Sequence, residues 1–379
     1  MSAATAPTRR IAGVVVGASA LRVWGLTAAA RLQRQFRRAG IDSPTAGAER
    51  VVLLRADWVY DEVLVRGLAG AADDVALKSA DGAIVALGVS PAYATEAEAF
   101  LAELRAPAWA RVVSPAQIAD SYNDKLRKRE PPFLLPLTAA GLDAIERRTF
   151  SGAYKGVTDL VTLYAWPRPA RYVTRLCAQA GITPNQVTTA SLVLVLAAMW
   201  LFWHGHFAWG LVAAWGMTFL DTVDGKLARV TLHSSRFGDF YDHSIDLVHP
   251  PFWWWAWLVG LPAAGFSVAD SGLVLAAIVA GYVLQRVEEG VFIAFFKMDM
   301  HVWTRFDSKF RLVTARRNPN LLLLTAAVLV GRPDLGILAV AVWTVLSLAI
   351  HAVRLVQAAI ARRRGPLRSW LSAGTTASE

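Results

Sequence analysis

Hydrophobic and polar positions change their rhythm before the middle of the chain. In the first part, short apolar runs alternate with helical ones. Ile11–Ala18 is followed by Leu26–Ala39, Val51–Ala56 by Val59–Leu68, and Val75–Lys78 by Ala83–Val89 across the turn at Asp81 and Gly82. Such alternation predicts a small α/β domain over residues 1–150, with a mostly parallel sheet. Arg9 and Arg10 before Ile11–Ala20 imitate a leader, but Arg22 and Trp24 follow at once without a small-residue cleavage site. A first strand of a cytoplasmic domain is the expectation. Pro131, Pro132 and Pro136 then break the pattern, and Leu142–Arg148 reads as a short helix.

Residues 151–182 form a connector, rigid at Pro167 and Pro169, that ends in an arginine-bearing amphipathic stretch, Ala170–Ala180. That stretch suits a helix lying at a membrane surface. From Thr183, a good N-cap with Pro184 behind it, apolar runs of spanning length take over. Six are expected within residues 183–361: Pro184–Trp203, Phe207–Val230, Phe237–Leu261, Leu273–Phe296, a short fifth around Asn320–Val330, and Leu335–Ala358. Residues 362–379 are a basic, polar tail. The fold class is thus an α-helical integral membrane domain with six transmembrane helices behind a small cytoplasmic α/β domain.

The formal charge of +10 could point to nucleic acid. Its placement instead favours topology and anionic headgroups, because no recognition motif accompanies it and Arg168, Arg171, Arg175 and Arg362–Arg364 flank apolar runs. Basic residues before the first span, between the fourth and fifth, and after the sixth put both termini in the cytoplasm of a cell (inner) membrane protein. Trp253, Trp254, Trp255 and Trp257 near the outer end of the third span read as lipid-facing or interfacial anchors. Cys177 is the sole cysteine, so neither an intramolecular disulfide nor a thiolate metal site is available.

Against this apolar background stand Asp221 and Asp224, then Asp242 and Asp246. Spacings of three and four put each pair on one helix face, and the short loop Thr231–Arg236 lets two antiparallel helices face all four together. Carboxylates at membrane depth are costly, and four converging acids repel without a cation. Oxygen-only ligands select hard ions, so Mg²⁺ or Mn²⁺ bridging phosphate oxygens is the expected occupant. Gly225, Ala228 and Gly238 permit close approach, and Arg229 is placed to bind phosphate or pair with an acid. Arg286 inside the fourth span, with Arg316 and Arg317 before the fifth, could hold an acceptor phosphate; salt bridging and topology are the competing roles. His243 and His249 are expected to be hydrogen-bonded helix histidines rather than ligands.

The pattern D-x-x-D-G-x-x-A-R-x8-G-x-x-x-D-x-x-x-D, met at every fixed position from Asp221 to Asp246, resembles the signature of the CDP-alcohol phosphotransferase (CDP-alcohol phosphatidyltransferase) family. The resemblance extends over about Lys155 to Ala361, including the surface helix and Thr183-Pro184-Asn185. It implies attack of an acceptor hydroxyl on the β-phosphorus of a CDP-linked donor, with CMP leaving. Asp221, Asp224 and Asp242 would be metal ligands, and Asp246 a ligand or the general base. Asp221, Gly225, Ala228, Arg229, Gly238 and Asn185 would line the CMP part. The partners implied are a CDP-linked donor, an alcohol acceptor, membrane lipid and a second copy in a homodimer.

Lys155, Thr158 and Asp159 resemble a connector of bifunctional inositol-phosphate cytidylyltransferase/di-inositol-phosphate phosphate synthases, and the order of N-terminal elements is faintly similar to their transferase half. The segment Gly17–Trp24 lacks the Gly-x-Gly and Pro-Lys of a triphosphate loop, so a degenerate, non-catalytic domain is expected. CDP-diacylglycerol with a polar acceptor, in phospholipid synthesis, is favoured over a soluble CDP-inositol-type donor. A divalent cation transporter is the rival from another class; it would place the acids at mid-membrane on discontinuous helices.

Overall fold

The computed structural model describes residues 9–42, 44–233 and 235–372. Its first part holds a five-stranded sheet in the spatial order Ile11–Val16, Arg50–Arg55, Ile84–Val89, Val75–Lys78, Arg111–Val113. The two outer pairs are parallel and the two inner pairs antiparallel. The sheet is therefore mixed, not mostly parallel. Ser79–Ala83 alone joins two of its strands, a connection far too short for a parallel crossover. Helices α1 (Ala28–Arg38), α2 (Glu62–Gly70), α3 (Ala94–Ala102) and the short α4 (Pro115–Ile118) accompany the strands. Thr27 and Asp61 cap α1 and α2 by accepting backbone N–H groups.

Beyond the sheet the chain is helical: α5 (Leu142–Gly152), α6 (Pro167–Gln179), α7 (Pro184–Trp203), α8 (Phe207–Val230), α9 (Arg236–Gly260), α10 (Ser271–Phe296), α11 (Arg305–Phe310), α12 (Arg317–Leu329) and α13 (Pro333–Arg362). Thr183 and Gln186 form the capping box that starts α7. Among the described residues, α7, α10 and α13 are long and apolar enough to cross a membrane. The other three expected spans differ for physical reasons. α8 and α9 carry the acid motif at their facing ends, and the 13 residues of α12 rise only about 20 Å.

The tryptophans of α9 are not lipid anchors, with one exception. Trp253, Trp254 and Trp257 are buried, while Trp255 is 38% exposed. Their helical phase explains it: Trp253 and Trp257 lie four apart on one face, and Trp255 points away. The indole N–H of Trp253 donates to the Val195 carbonyl at 3.0 Å, and that of Trp257 to the Pro333 carbonyl at 3.1 Å. Aromatic bulk thus ties α9 to α7 and α13, each polar N–H satisfied as burial demands. Pro250 and Pro251 inside α9 withdraw the donors that Asp246 and Leu247 carbonyls would otherwise meet. The Tyr282 hydroxyl of α10 donates to the Leu247 carbonyl at 3.0 Å, supplying one replacement.

The α/β part is fastened to the helices. Trp24, Phe150, Tyr154 and Ala170 share one core with Val223 and Leu227 of α8. The Trp24 indole donates to Thr149 Oγ1 at 2.8 Å, and its backbone N–H to the Glu146 carboxylate at 3.0 Å. From α1, Arg31 and Arg34 donate to the carbonyls of Val230 and Thr231, at 2.9 and 2.7 Å. These are orphan acceptors at the end of α8.

Gly260 marks the tightest helix approach, since a Cβ there would lie 1.8 Å from the Phe202 carbonyl oxygen of α7. Gly260→Ala is expected to force the two helices apart and cost about 3 kcal/mol or more. Thermal unfolding of the detergent-purified protein checks this, with Gly272→Ala, whose Cβ meets nothing within 4 Å, as the tolerated comparison.

Candidate functional site

The acid motif folds as its spacing requires. α8 ends in Asp221–Val230, the chain turns, and α9 runs back from Arg236, both helices packed on α7, with Ser235 capping the Gly238 N–H at 2.9 Å. Asp221, Asp242 and Asp246 bring carboxylate oxygens within 4.8 Å of one another. Asp224 stands outside that triad. Its Oδ2 accepts the Thr188 hydroxyl of α7 at 2.7 Å, and its Oδ1 is buried without a partner.

Arg317, the first residue of α12, reaches into the triad. One guanidinium nitrogen lies 2.5 Å from Asp221 and the other 2.5 Å from Asp246. It supplies the positive charge that converging acids in an apolar setting require. Arg316 and Arg286 instead both pair with Glu289 of α10, the latter at 3.3 Å, so salt bridging is what the structure gives them. His243 and His249 bond to carbonyls one turn back, at 2.8 and 2.6 Å, as helix histidines do.

Two clefts flank the acids and share His243 as a wall. The first, about 440 Å³, collects Asn185, Thr188, Asp224, Gly225, Ala228, Arg229, Gly238 and Asp242. A Cβ on Gly238 would lie 2.7 Å from Asn185 Oδ1, so the bare position leaves room for the Asn185 amide in the cleft. Arg229 donates to the Ala153 carbonyl at 3.1 Å, which holds its guanidinium in the cleft wall. The second cleft, about 360 Å³, opens on Asp246 and is cationic: Arg127, Lys155, Arg286, Arg311, Arg316 and Arg317 line it, opposed by Asp159. Arg311 Nε and Nη1 are buried without partners, and burial pulls its guanidinium down to about 9.

Thr188, Arg127 and Arg311 escaped sequence reasoning. Thr188 carried one legible signal, standing one turn after Asn185. The connector residues Lys155, Thr158 and Asp159 line the second cleft rather than forming a solvated linker. Asp159 accepts the Thr162 N–H and the Asn318 amide, both at 3.0 Å. Burial pushes its carboxyl up, but the Thr162 N–H, Arg311 and Asn318 outweigh it and hold it below the usual range.

The acids offer only oxygen donors, and the unpartnered Asp224 Oδ1 is a ligand atom without a ligand; both fit a hard divalent cation. A Glu289, His301, His351 group also converges within 4.8 Å, but Arg316 is already paired to its carboxylate.

These features set an acid cluster between two polar clefts, and comparison with known proteins shows what that part of the chain resembles. Residues 181–310 match the model of the CDP-alcohol phosphatidyltransferase family, a family that generally works with divalent metal. Archaetidylinositol phosphate synthase of Pyrococcus horikoshii is 39% identical over 80 residues, 21% of this chain and 42% of that protein. Phosphatidylinositol phosphate synthase of Mycobacteroides abscessus is 34% identical over 116 residues, 29% of this chain and 52% of the relative. Cholinephosphotransferase 1 of Danio rerio is 27% identical over 128 residues, 31% of this chain and 32% of the relative. The matches span about half the length of the first two relatives or less.

Lys155 gives the second cleft a pH dependence. Burial, then the neighbouring Arg127, Arg229 and Arg311, draw its ammonium down to about 8. The ammonium is cationic below that value and neutral above it, so anion affinity is present at lower pH and lost as pH rises through 8. Inorganic phosphate binding followed by calorimetry from pH 6.5 to 9.5 is expected to weaken about tenfold in the wild type. Phosphate's own second ionisation is complete in the upper half of that range, so the fall is assigned to the protein by its disappearance in Lys155→Arg.

Proposed function

We propose that this chain is a multi-pass membrane enzyme that transfers a phosphatidyl group from CDP-diacylglycerol to a phosphorylated polyol, with inositol phosphate the favoured acceptor, releasing CMP. The observation that carries the reading is the pair of clefts on either side of one acid cluster. One holds Asp224, Gly225, Ala228, Arg229, Gly238 and Asp242 of the motif, and the other gathers six cationic side chains beside Asp246. A donor diphosphate fits the first, and an acceptor bearing its own phosphate fits the second. The phosphatidylinositol phosphate synthases among the relatives support that acceptor class.

In this reading Asp221, Asp224, Asp242 and Asp246 hold Mg²⁺ or Mn²⁺. The bound metal would neutralise the donor diphosphate and stabilise CMP as it leaves. Asn185, Asp221, Gly225, Ala228, Arg229 and Gly238 receive the CMP half; the bare backbone at Gly225 and Gly238 admits it closely, and Arg229 meets a phosphate. Lys155 and Arg311 receive the acceptor phosphate, Arg286 and Arg316 add their charge from the cleft wall while paired with Glu289, and Arg317 sets the distance between Asp221 and Asp246. Asp246 faces the second cleft and takes the proton of the attacking hydroxyl. The oxygen of that hydroxyl bonds the β-phosphorus, and the bond from phosphorus to the CMP oxygen breaks.

The six helices α7–α10, α12 and α13 cross an inner membrane with both termini cytoplasmic, as the basic flanks favour, and two copies form a homodimer. The α/β domain makes no nucleotide chemistry of its own. Where a triphosphate loop would be needed, Arg22–Val23 pairs with Leu26–Thr27 in a hairpin whose Gly25 would clash at 2.6 Å with the Ala178 carbonyl if it bore a Cβ.

CMP release by purified protein, with Mg²⁺ or Mn²⁺ and a panel of donors and acceptors, tests this. CDP-diacylglycerol with inositol phosphate is expected to turn over fastest, ahead of glycerol phosphate and of any reaction with CDP-inositol. Asp246→Asn should lower kcat about 10²- to 10⁴-fold, and EDTA should abolish release until metal is restored. CMP formation from no donor would overturn the enzyme reading, and metal flux into liposomes without nucleotide would favour a transporter. Turnover of CDP-inositol alone would replace the lipid donor with a soluble one.

A further inference from the structure

The donor cleft is not closed by the phosphotransferase helices alone. Arg38 at the end of α1, Glu62 and Arg66 of α2, and Lys125 from the turn before the connector line it, facing Asp224 and Arg229. All four belong to the α/β part of the chain, which the family match at residues 181–310 does not include.

The placement follows from helix geometry. Arg31, Arg34 and Arg38 are spaced three and four apart, one stripe along α1. The first two clamp the carbonyls of Val230 and Thr231 at the end of α8, which fixes α1 against the helix that carries Asp221, Asp224 and Arg229. One turn further along the same stripe, Arg38 arrives at the cleft. Its Nη2 lies 3.4 Å from Glu62, whose carboxylate is already bonded by Arg66. Its Nη1 is buried and has no hydrogen-bond partner. The side chain is nevertheless 27% exposed and lines the cleft, so an anion bound there can meet its charge.

We infer that the α/β domain forms one wall of the nucleotide cleft, and that Arg38, assisted by Lys125, binds a phosphate oxygen of the CDP-linked donor and of the CMP that leaves. The inference rests on the first cleft being the donor site. The domain then acts as a fixed nucleotide clamp: it makes no bond and breaks none, but it contributes affinity for the CMP half. Glu62 and Arg66 position Arg38 rather than touching the nucleotide. The acceptor cleft contains none of these four residues, so acceptor binding is independent of the clamp.

Calorimetry of CMP binding, with Mg²⁺ present, on the full chain in detergent tests the clamp separately from turnover. Arg38→Ala is expected to weaken CMP about tenfold, Lys125→Ala about threefold, and Arg38→Lys less than Arg38→Ala, because a point charge recovers part of the interaction. KM for the donor should rise in parallel with kcat and the acceptor KM nearly constant. Arg37→Ala, on the exposed side of α1, should change neither quantity. Thermal unfolding without nucleotide reports whether Arg38→Ala still folds, and Lys125→Ala, in an exposed turn, probes the same wall if it does not. CMP bound equally by the wild type, Arg38→Ala and Lys125→Ala would overturn the clamp while leaving the donor site intact. No CMP binding by the wild type would overturn the donor reading itself and the clamp with it.

Discussion

Carboxylates cannot be gathered at the end of apolar helices unless cations are gathered with them, and this constraint organises the whole molecule. Asp221, Asp242 and Asp246 approach within 4.8 Å, and Arg317 answers two of them from the start of α12. That places the short helix α12 beside α8 and α9. The remaining cations then crowd around Glu289 and Asp159, each of which fixes a second layer: Glu289 holds Arg286 and Arg316, and Asp159 holds Asn318. The cationic cleft is a consequence of balancing the acids, and the same excess of positive charge gives it a use.

Apolar packing supplies rigidity behind this charge array. Trp253 and Trp257 lock α9 against α7 and α13, while Gly260 lets α7 approach to backbone contact. Pro250 and Pro251 stand four and five residues beyond Asp246, so the helix carrying that carboxylate gives up part of its ladder just where the second cleft opens. Asp224, by contrast, is tied to Thr188 of α7.

What could be read from the sequence was what local periodicity encodes. The spacing of Asp221, Asp224, Asp242 and Asp246 already placed them on facing helices, and Thr183-Pro184 started α7 where expected. Partners brought from far along the chain were invisible: Arg317 meets Asp221 across 96 positions and Asn318 meets Asp159 across 159. The tryptophans were misjudged because composition names an interfacial residue without saying which side of the helix it occupies. The sheet was misjudged because strand–helix alternation does not distinguish a crossover from the hairpin that Ser79–Ala83 forces. The fifth expected span is short, as α12 has 13 residues, and no local pattern showed that its first residue, Arg317, reaches the acids.

Domain docking lies furthest beyond local sequence, and it changes the meaning of the first part of the chain. Judged alone, Gly17–Trp24 is a phosphate loop with its glycines missing. In the folded chain Trp24 is 1% exposed and donates two hydrogen bonds to α5, so the segment has the residues a socket contact needs. The arginine stripe of α1 follows the same logic. Capping the end of α8 also sets Arg38 and Lys125 beside Gly225 and Gly238 in the first cleft. A neighbouring domain can complete a site, because in an electrostatic cleft affinity depends on which charges are held in place and not on which domain carries them.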